Sequence, residues 1–126
     1  MPIISIIMPI YNTAEYLEET LTCIAGQTMR DIEIICINDA STDSSLQILE
    51  DMADKDNRIQ IINNSSNQGA AAARNIGLGE AQGKYICFLD ADDIFEKDMI
   101  EKEYDAICRY DADIAVVHSA HFKEDP

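Results

Sequence analysis

Ile32-Glu33-Ile34-Ile35-Cys36-Ile37 is a nearly unbroken apolar run that passes directly into the polar Asn38-Asp39-Ala40-Ser41. A strand this apolar along its length is covered on both faces, which marks a parallel sheet between helices. Outward from it the chain alternates. Upstream, Ile3 to Met8 is an apolar strand, followed by a helix that a capping box opens, Asn12 with Glu15, and that carries Leu17, Leu21 and Ile24 on one face. Downstream, Ser41 or Thr42 caps a second helix with Leu46, Leu49, Met52 and Ala53 inward, and Arg58 to Ile62 forms a short third strand. A helix over Ala70 to Ala81 leads to the strand Tyr85 to Leu89. Then come a helix with Ile100, Tyr104 and Ile107 on one face and a last strand, Asp113 to His118. Five strands in βαβ succession predict a Rossmann-like, three-layer α/β/α fold with a mostly parallel sheet.

At 126 residues the chain reads as one domain, able to bury about two thirds of its unfolded surface. Nine Lys and Arg against 24 Asp and Glu give a net charge of −15, which argues against DNA, RNA or anionic lipid as a partner. An acidic domain that binds phosphate needs a local cation, either a metal or one of its few basic side chains. Cys23, Cys36, Cys87 and Cys108 lie in apolar periodic segments without a C-x-x-C pair, as expected of small buried residues in a reducing cytosol. The opening Ile3 to Ile10 is too short to span a bilayer and has no basic flank or cleavage signal. The expected location is the cytoplasm, with the inner face of the membrane an option for a longer parent protein.

In a parallel sheet the strand exits share one edge, so Pro9-Ile10-Tyr11-Asn12, Asn38-Asp39-Ala40-Ser41 and Asp90-Ala91-Asp92-Asp93 line one crevice. The acids of the last stretch follow the strand Lys84-Tyr85-Ile86-Cys87-Phe88-Leu89 and converge on one hard divalent cation, Mg²⁺ or Mn²⁺, that leaves positions open to phosphate. Such a cluster also serves simply to cap amides at a helix start. Tyr11 offers an aromatic face for a base, or a wedge under its loop. Asp39 accepts from a ring N–H or a hydroxyl, or forms an Asx turn. Jointly they favour a nucleotide pocket. In Asn67-Gln68-Gly69-Ala70-Ala71-Ala72-Ala73-Arg74-Asn75, small residues let a backbone or ligand approach closely, and Arg74 is the one cation, suited to an acidic-turn carboxylate or a ligand phosphate.

Four segments together, Ser5 to Asn12, Ile35 to Asp43, Asn67 to Asn75 and Gly83 to Asp93, strongly resemble the nucleotide-sugar-binding half of the inverting family-two glycosyltransferases, of GT-A fold. The resemblance runs from Ile3 to about His118. It implies that Pro9, Tyr11 and Asp39 contact the nucleoside, usually uridine, that Arg74 supports the nucleotide site, and that Asp90 to Asp92 meet ribose, diphosphate and metal. Asp92 is the first expected metal ligand and Asp90 the second, with Asp93 behind them or capping a helix. It further implies a UDP-sugar donor, a divalent metal, and transfer to a saccharide or lipid-linked acceptor in polysaccharide or glycoconjugate synthesis.

Inverting transfer also requires a base for the acceptor hydroxyl, which the related enzymes carry downstream of the matched region. His118, His121, Glu124 and Asp125 match no such motif, so residues 1–126 read as the donor-binding portion, with the base and acceptor site expected beyond Pro126. A non-catalytic nucleotide-sugar-binding module is the alternative. Other classes fare worse. A dehalogenase-type phosphatase places its nucleophile after the first strand, where Pro9-Ile10-Tyr11-Asn12 stands. No G-x-G-x-x-G follows that strand, and no P-loop occurs. Donor sugar, linkage and oligomeric state are not written in these residues.

Overall fold

The computed structural model describes residues 2–110. Four strands, β1 (Ile4–Ile10), β2 (Ile32–Asn38), β3 (Ile59–Asn63) and β4 (Tyr85–Phe88), form one sheet in the order β3-β2-β1-β4, and its three pairings are parallel. The helices are α1 (Ala14–Ala25), α2 (Ser45–Lys55), α3 (Ala70–Glu80) and α4 (Met99–Tyr110). The expected strand over Asp113 to His118 lies outside the described residues.

The β2 run behaves as its composition dictates. All seven of its residues are buried. Ile32, Ile34 and Cys36 join one core with Ile4, Ile6, Met8 and Ile10 of β1, against Leu17, Leu21 and Ile24 of α1, Leu49 and Met52 of α2, and Ile100 of α4. Ile35 and Ile37 face the other way and, with Ile7, meet Ala73 of α3. The result is three layers, with α3 alone on its side among the described residues. Its approach is close. A Cβ on Gly77 would sit 2.5 Å from Ile7 Cγ2, so only glycine lets the helix backbone lie this near the sheet.

Chain order places the site. From β1 the chain steps outward to β2 and β3, then crosses on the opposite face through α3 to β4, on the far side of β1. Ligands of open α/β sheets bind beyond the strand C-termini at such a reversal. Pro9 fits within the central strand because of this geometry. Ile7 O accepts from Leu89 N–H on the β4 side, and by strand alternation the missing N–H of Pro9 points the same way, above the end of β4. No ladder bond is lost.

Several expectations need correction. Asn12 does not cap α1: Thr13 precedes the helix without a side-chain cap bond, and Asn12 sits outside it at φ 52°. Neither Ser41 nor Thr42 caps α2, which starts after Ser44. Leu46 is only half-buried, whereas Ile48 packs against the main core. The cysteines are not uniformly inside, since Cys36 is buried, Cys23 and Cys87 are intermediate and Cys108 is exposed.

Candidate nucleotide site

At the C-terminal edge of the sheet lies a cleft of ≈ 310 Å³. The β1 exit lines it with Pro9, Ile10, Tyr11 and Thr13, β2 with Asp39, the start of α3 with Ala70, and the β4 exit with Asp90, Ala91 and Asp92. Five of the six residues singled out in the sequence thus meet in one cavity; Arg74 stands beside it. Because the strand order is β2-β1-β4 across this edge, Asp39 and the acidic turn stand on opposite sides of β1.

Asp39 is held firmly, with 3 % of its surface exposed. Its Oδ1 accepts from Asn64 Nδ2 at 2.8 Å and from Gln68 N–H at 2.9 Å, and its Oδ2 accepts from Gly69 N–H at 2.8 Å. Burial pushes the carboxyl up, but these three bonds outweigh it and hold Asp39 below the ordinary carboxylate range. An ionised carboxylate offers about four lone-pair sites, so three internal donors leave one acceptor position on Oδ2. Asn64 escaped the sequence reading, and Gln68 and Gly69 entered it only as part of the small-residue stretch, not as donors to Asp39. Only the turn-rich Asn64 to Gly69 stretch hinted at them, and nothing local names a partner 25 to 30 positions away.

The β1–α1 and β2–α2 loops are laced together. Asn12 Oδ1 accepts from Thr42 N–H at 2.7 Å and Asp43 N–H at 3.3 Å, while Asn12 N–H donates to Ser41 Oγ at 3.1 Å. Thr13 N–H donates to Ser45 Oγ at 3.1 Å, and Ala14 N–H to Asp43 Oδ2 at 3.1 Å. These bonds explain the misplaced caps, because the polar side chains satisfy the neighbouring loop instead of their own helix. Asn12 and Ala40, at φ 52° and 62°, are the non-glycine residues with positive φ among those described. Such strain survives where surrounding bonds fix the backbone, and here it aims Tyr11 and Asp39 from adjacent strands. Tyr11 is 47 % exposed, leaving its ring available.

Asp90, Asp92 and Asp93 each bring a carboxylate oxygen within 4.8 Å of the others. Asp90 and Asp92 are exposed and Asp93 is buried. Asp93 does not cap a helix, since α4 begins only at Met99; instead its carbonyl accepts from Thr20 Oγ1 of α1 at 3.0 Å, which ties down the turn. Hard oxygens at this spacing suit a divalent cation such as Mg²⁺ or Mn²⁺. Arg74 Nη2 donates to Asp90 Oδ1 at 3.3 Å, with side chains 39 % and 50 % exposed. A pair this open to solvent adds about 0–1 kcal/mol of stability, so its effect is to place positive charge beside the carboxylates.

Among the described residues no helix is long and apolar enough to cross a membrane. The chain matches the profile described as glycosyl transferase family 2 over residues 5–126. A relative from Haemophilus influenzae, described as an uncharacterized glycosyltransferase, is 50% identical over 103 residues, covering 82% of this chain and 41% of that protein. The putative teichuronic acid biosynthesis glycosyltransferase TuaG of Bacillus subtilis is 41% identical over 102 residues, covering 81% of this chain and 40% of that protein. The chain therefore spans about two fifths of these relatives. Among solved structures, S. aureus TarS 1–349 in complex with UDP-GlcNAc superposes with a TM-score of 0.82 at 30% identity, over 88% of this chain and 32% of that one. The mannosyltransferase PcManGT from Pyrobaculum calidifontis, in complex with GDP-Man and Mn²⁺, gives a TM-score of 0.79 at 25% identity, over 84% and 32%. Sheet order, strand-exit site and these likenesses agree on a GT-A type α/β fold, and the chain belongs to glycosyl transferase family 2.

Proposed function

We propose that this chain binds a nucleoside-diphosphate sugar, with uridine as the base, for inverting transfer to an acceptor hydroxyl in polysaccharide or glycoconjugate synthesis. One observation carries the reading: an anionic acceptor, Asp39, and a carboxylate cluster suited to a cation stand on opposite sides of β1 at the two ends of one cleft. The base lies at the Asp39 end, where the remaining Oδ2 position takes a ring N–H and Tyr11 offers a face to stack on. Pro9 supports the nucleoside, and the diphosphate reaches Asp90, Asp92 and Arg74. The UDP-GlcNAc of the TarS complex and the GDP-Man and Mn²⁺ of the PcManGT complex favour this arrangement.

Asp92, with Asp90, would hold the metal. A divalent ion there offsets diphosphate charge and acts as a Lewis acid toward the leaving group. Arg74 adds a fixed positive charge at the same end, and the loop clasp around Asn12 keeps the nucleoside contacts in place. In this reading residues 1–126 supply the donor site, and the acceptor surface and general base come from sequence of the kind that makes the relatives longer. The acceptor is a saccharide or a lipid-linked glycan. The whole protein then works in the cytoplasm or at the inner face of the membrane.

Calorimetry with UDP in Mn²⁺, in Mg²⁺ and in excess chelator tests the reading. Binding should require the metal, and Asp92→Asn should remove the metal-dependent part while uridine alone still binds. Equal affinity with and without metal, or none in either, would refute it.

A further inference from the structure

Thr20 lies on the core face of α1 with Leu17, Leu21 and Ile24, and is 1 % exposed. A hydroxyl in such a place costs free energy unless it is hydrogen-bonded. Within a helix it ordinarily returns to the carbonyl four residues back, as Thr22 Oγ1 does to Glu18 O at 2.7 Å. Thr20 Oγ1 donates instead to Asp93 O at 3.0 Å, 73 positions away. Asp93 in turn donates its N–H to Asp90 O at 3.3 Å, which closes the turn that carries Asp90, Asp92 and Asp93. That turn leaves β1 at Leu89, whose N–H donates to Ile7 O at 3.1 Å, and is tied to α1 at Thr20. Residues 89–98 form neither strand nor helix, so their carbonyls need partners from elsewhere. Further along the segment, buried Gln27 donates to Glu96 O at 2.6 Å and accepts from Ile100 N–H at 3.1 Å, and Thr28 N–H donates to Lys97 O at 2.7 Å.

We propose that Thr20 is a positioning residue for the metal carboxylates: its bond to Asp93 O sets the backbone from which Asp90, Asp92 and Asp93 present oxygens to a divalent cation. The inference rests on the metal-dependent reading above and deepens it. Three carboxylates within 4.8 Å of one another repel, so a turn free to move would open and a cation would have to draw it closed. Burial of Leu89, Ala91 and Phe95 anchors the segment, but apolar burial has no direction. A hydrogen bond does, and the two made by Asp93 orient the peptide groups on either side of its side chain. Carboxylates held in place beforehand bind the cation without first being ordered.

Two variants test it, each compared with the unmodified chain for Mn²⁺ alone by electron paramagnetic resonance, and for uridine and UDP with Mn²⁺ by calorimetry. Thr20→Val deletes the hydroxyl at nearly constant volume. Its affinity for Mn²⁺ should fall about 10-fold, the lower end of what losing an outer hydrogen bond costs a metal site. UDP with Mn²⁺ should weaken alongside, while uridine binds as before. Thr20→Ser keeps the hydroxyl and loses the methyl group, so it should melt lower than the parent yet bind Mn²⁺ equally well. A Thr20→Ser variant as weak for Mn²⁺ as Thr20→Val would assign the effect to packing and overturn the proposal. Equal losses for uridine and Mn²⁺ in Thr20→Val would mark a general loosening and likewise overturn it. Failure of the unmodified chain to bind Mn²⁺, with or without UDP, would remove both this inference and the reading beneath it, whereas Mn²⁺ binding untouched by Thr20→Val would remove the inference alone.

Discussion

Asp39 Oδ2 accepts from the N–H of Gly69 at 2.8 Å, which joins the exit of β2 to the first turn of α3 across 30 positions of sequence. Gly69 holds φ 95° at that junction, a conformation that L side chains rarely adopt. The same carboxylate therefore fixes the start of α3 and lines the cleft.

Asp39→Asn should weaken both functions of that residue. An amide in place of a carboxylate sets an NH₂ against at least one of the Asn64, Gln68 and Gly69 donors, which should cost about 1–3 kcal/mol of stability at neutral pH. Because Asp39 is held below the ordinary range, its stabilisation is present above the unfolded carboxyl value of about 3.9 and is lost as pH falls through the lower folded value. The gap in melting temperature between Asp39→Asn and the parent should stay constant from pH 8 to pH 5 and close below about pH 4. A gap independent of pH into the acid range would show that the charge of Asp39 is not what stabilises the loop.

Gly77→Ala separates local preference from packing. Alanine is favoured over glycine in a helix by about 1 kcal/mol, yet its Cβ would lie 2.5 Å from Ile7 Cγ2 and 2.9 Å from Ile37 Cδ1, both on fully buried side chains. Overpacking of this kind costs about 1–3 kcal/mol, so the variant should melt lower despite the better helix former. Ala70 and Arg74 ride on the same helix, and UDP affinity should fall with it. A higher melting temperature would mean that α3 moves off the sheet freely.

What the sequence disclosed follows the range of the interactions involved. The β2 run announced a two-faced strand because burial on both sides demands apolar residues at every position, and the acidic turn was readable because its carboxylates are neighbours in sequence. The caps were misread for the opposite reason. Asn12 looks like the start of a helix in isolation, and only the folded chain brings Thr42 and Asp43 to its side-chain oxygen from 30 and 31 positions away. The donors around Asp39 were hidden in the same manner. In α2, the sequence reading placed Leu46 inward, whereas partly buried Ile48 is the one packed against the main core. Thr20 gave no signal, since a threonine within a helix ordinarily bonds back into its own turn.

Arg74→Ala should change the stability of the fold by no more than about 1 kcal/mol, because its pair with Asp90 is open to solvent on both sides. Its effect belongs in binding, where removal of the cation paired with Asp90 should weaken UDP with Mn²⁺ more than uridine. The deficit should shrink as salt rises, since screening acts on exposed charges. Arg74→Lys should recover part of the affinity, as a point charge without the planar fork. Equal losses for uridine and UDP would take Arg74 away from the phosphate end.

Glu103 supplies a pH dependence of its own. Its Oε1 is buried without a hydrogen-bond partner among the described residues, and its Oε2 faces Cys87 Sγ of β4 at 3.9 Å. Burial pushes Glu103 up to about 7, a weak bond from the thiol opposing it only slightly, and burial first, then the nearby Glu103, pushes Cys87 up to about 12. A folded value raised above the unfolded one means that the native state holds the proton longer. The contribution of the neutral carboxyl is therefore complete below the unfolded value near 4.3 and is lost as pH rises through about 7. Glu103→Gln keeps the shape and stays neutral. Its melting temperature should match that of the parent near pH 4.5, exceed it increasingly up to pH 7, and hold a constant lead above that. That lead should correspond to about 1 kcal/mol of stability, allowing for partial solvation of the group. Scanning fluorimetry of both proteins from pH 4.5 to 8.5 measures it, and a difference that does not change with pH would show that α4 leaves Glu103 solvated against β4.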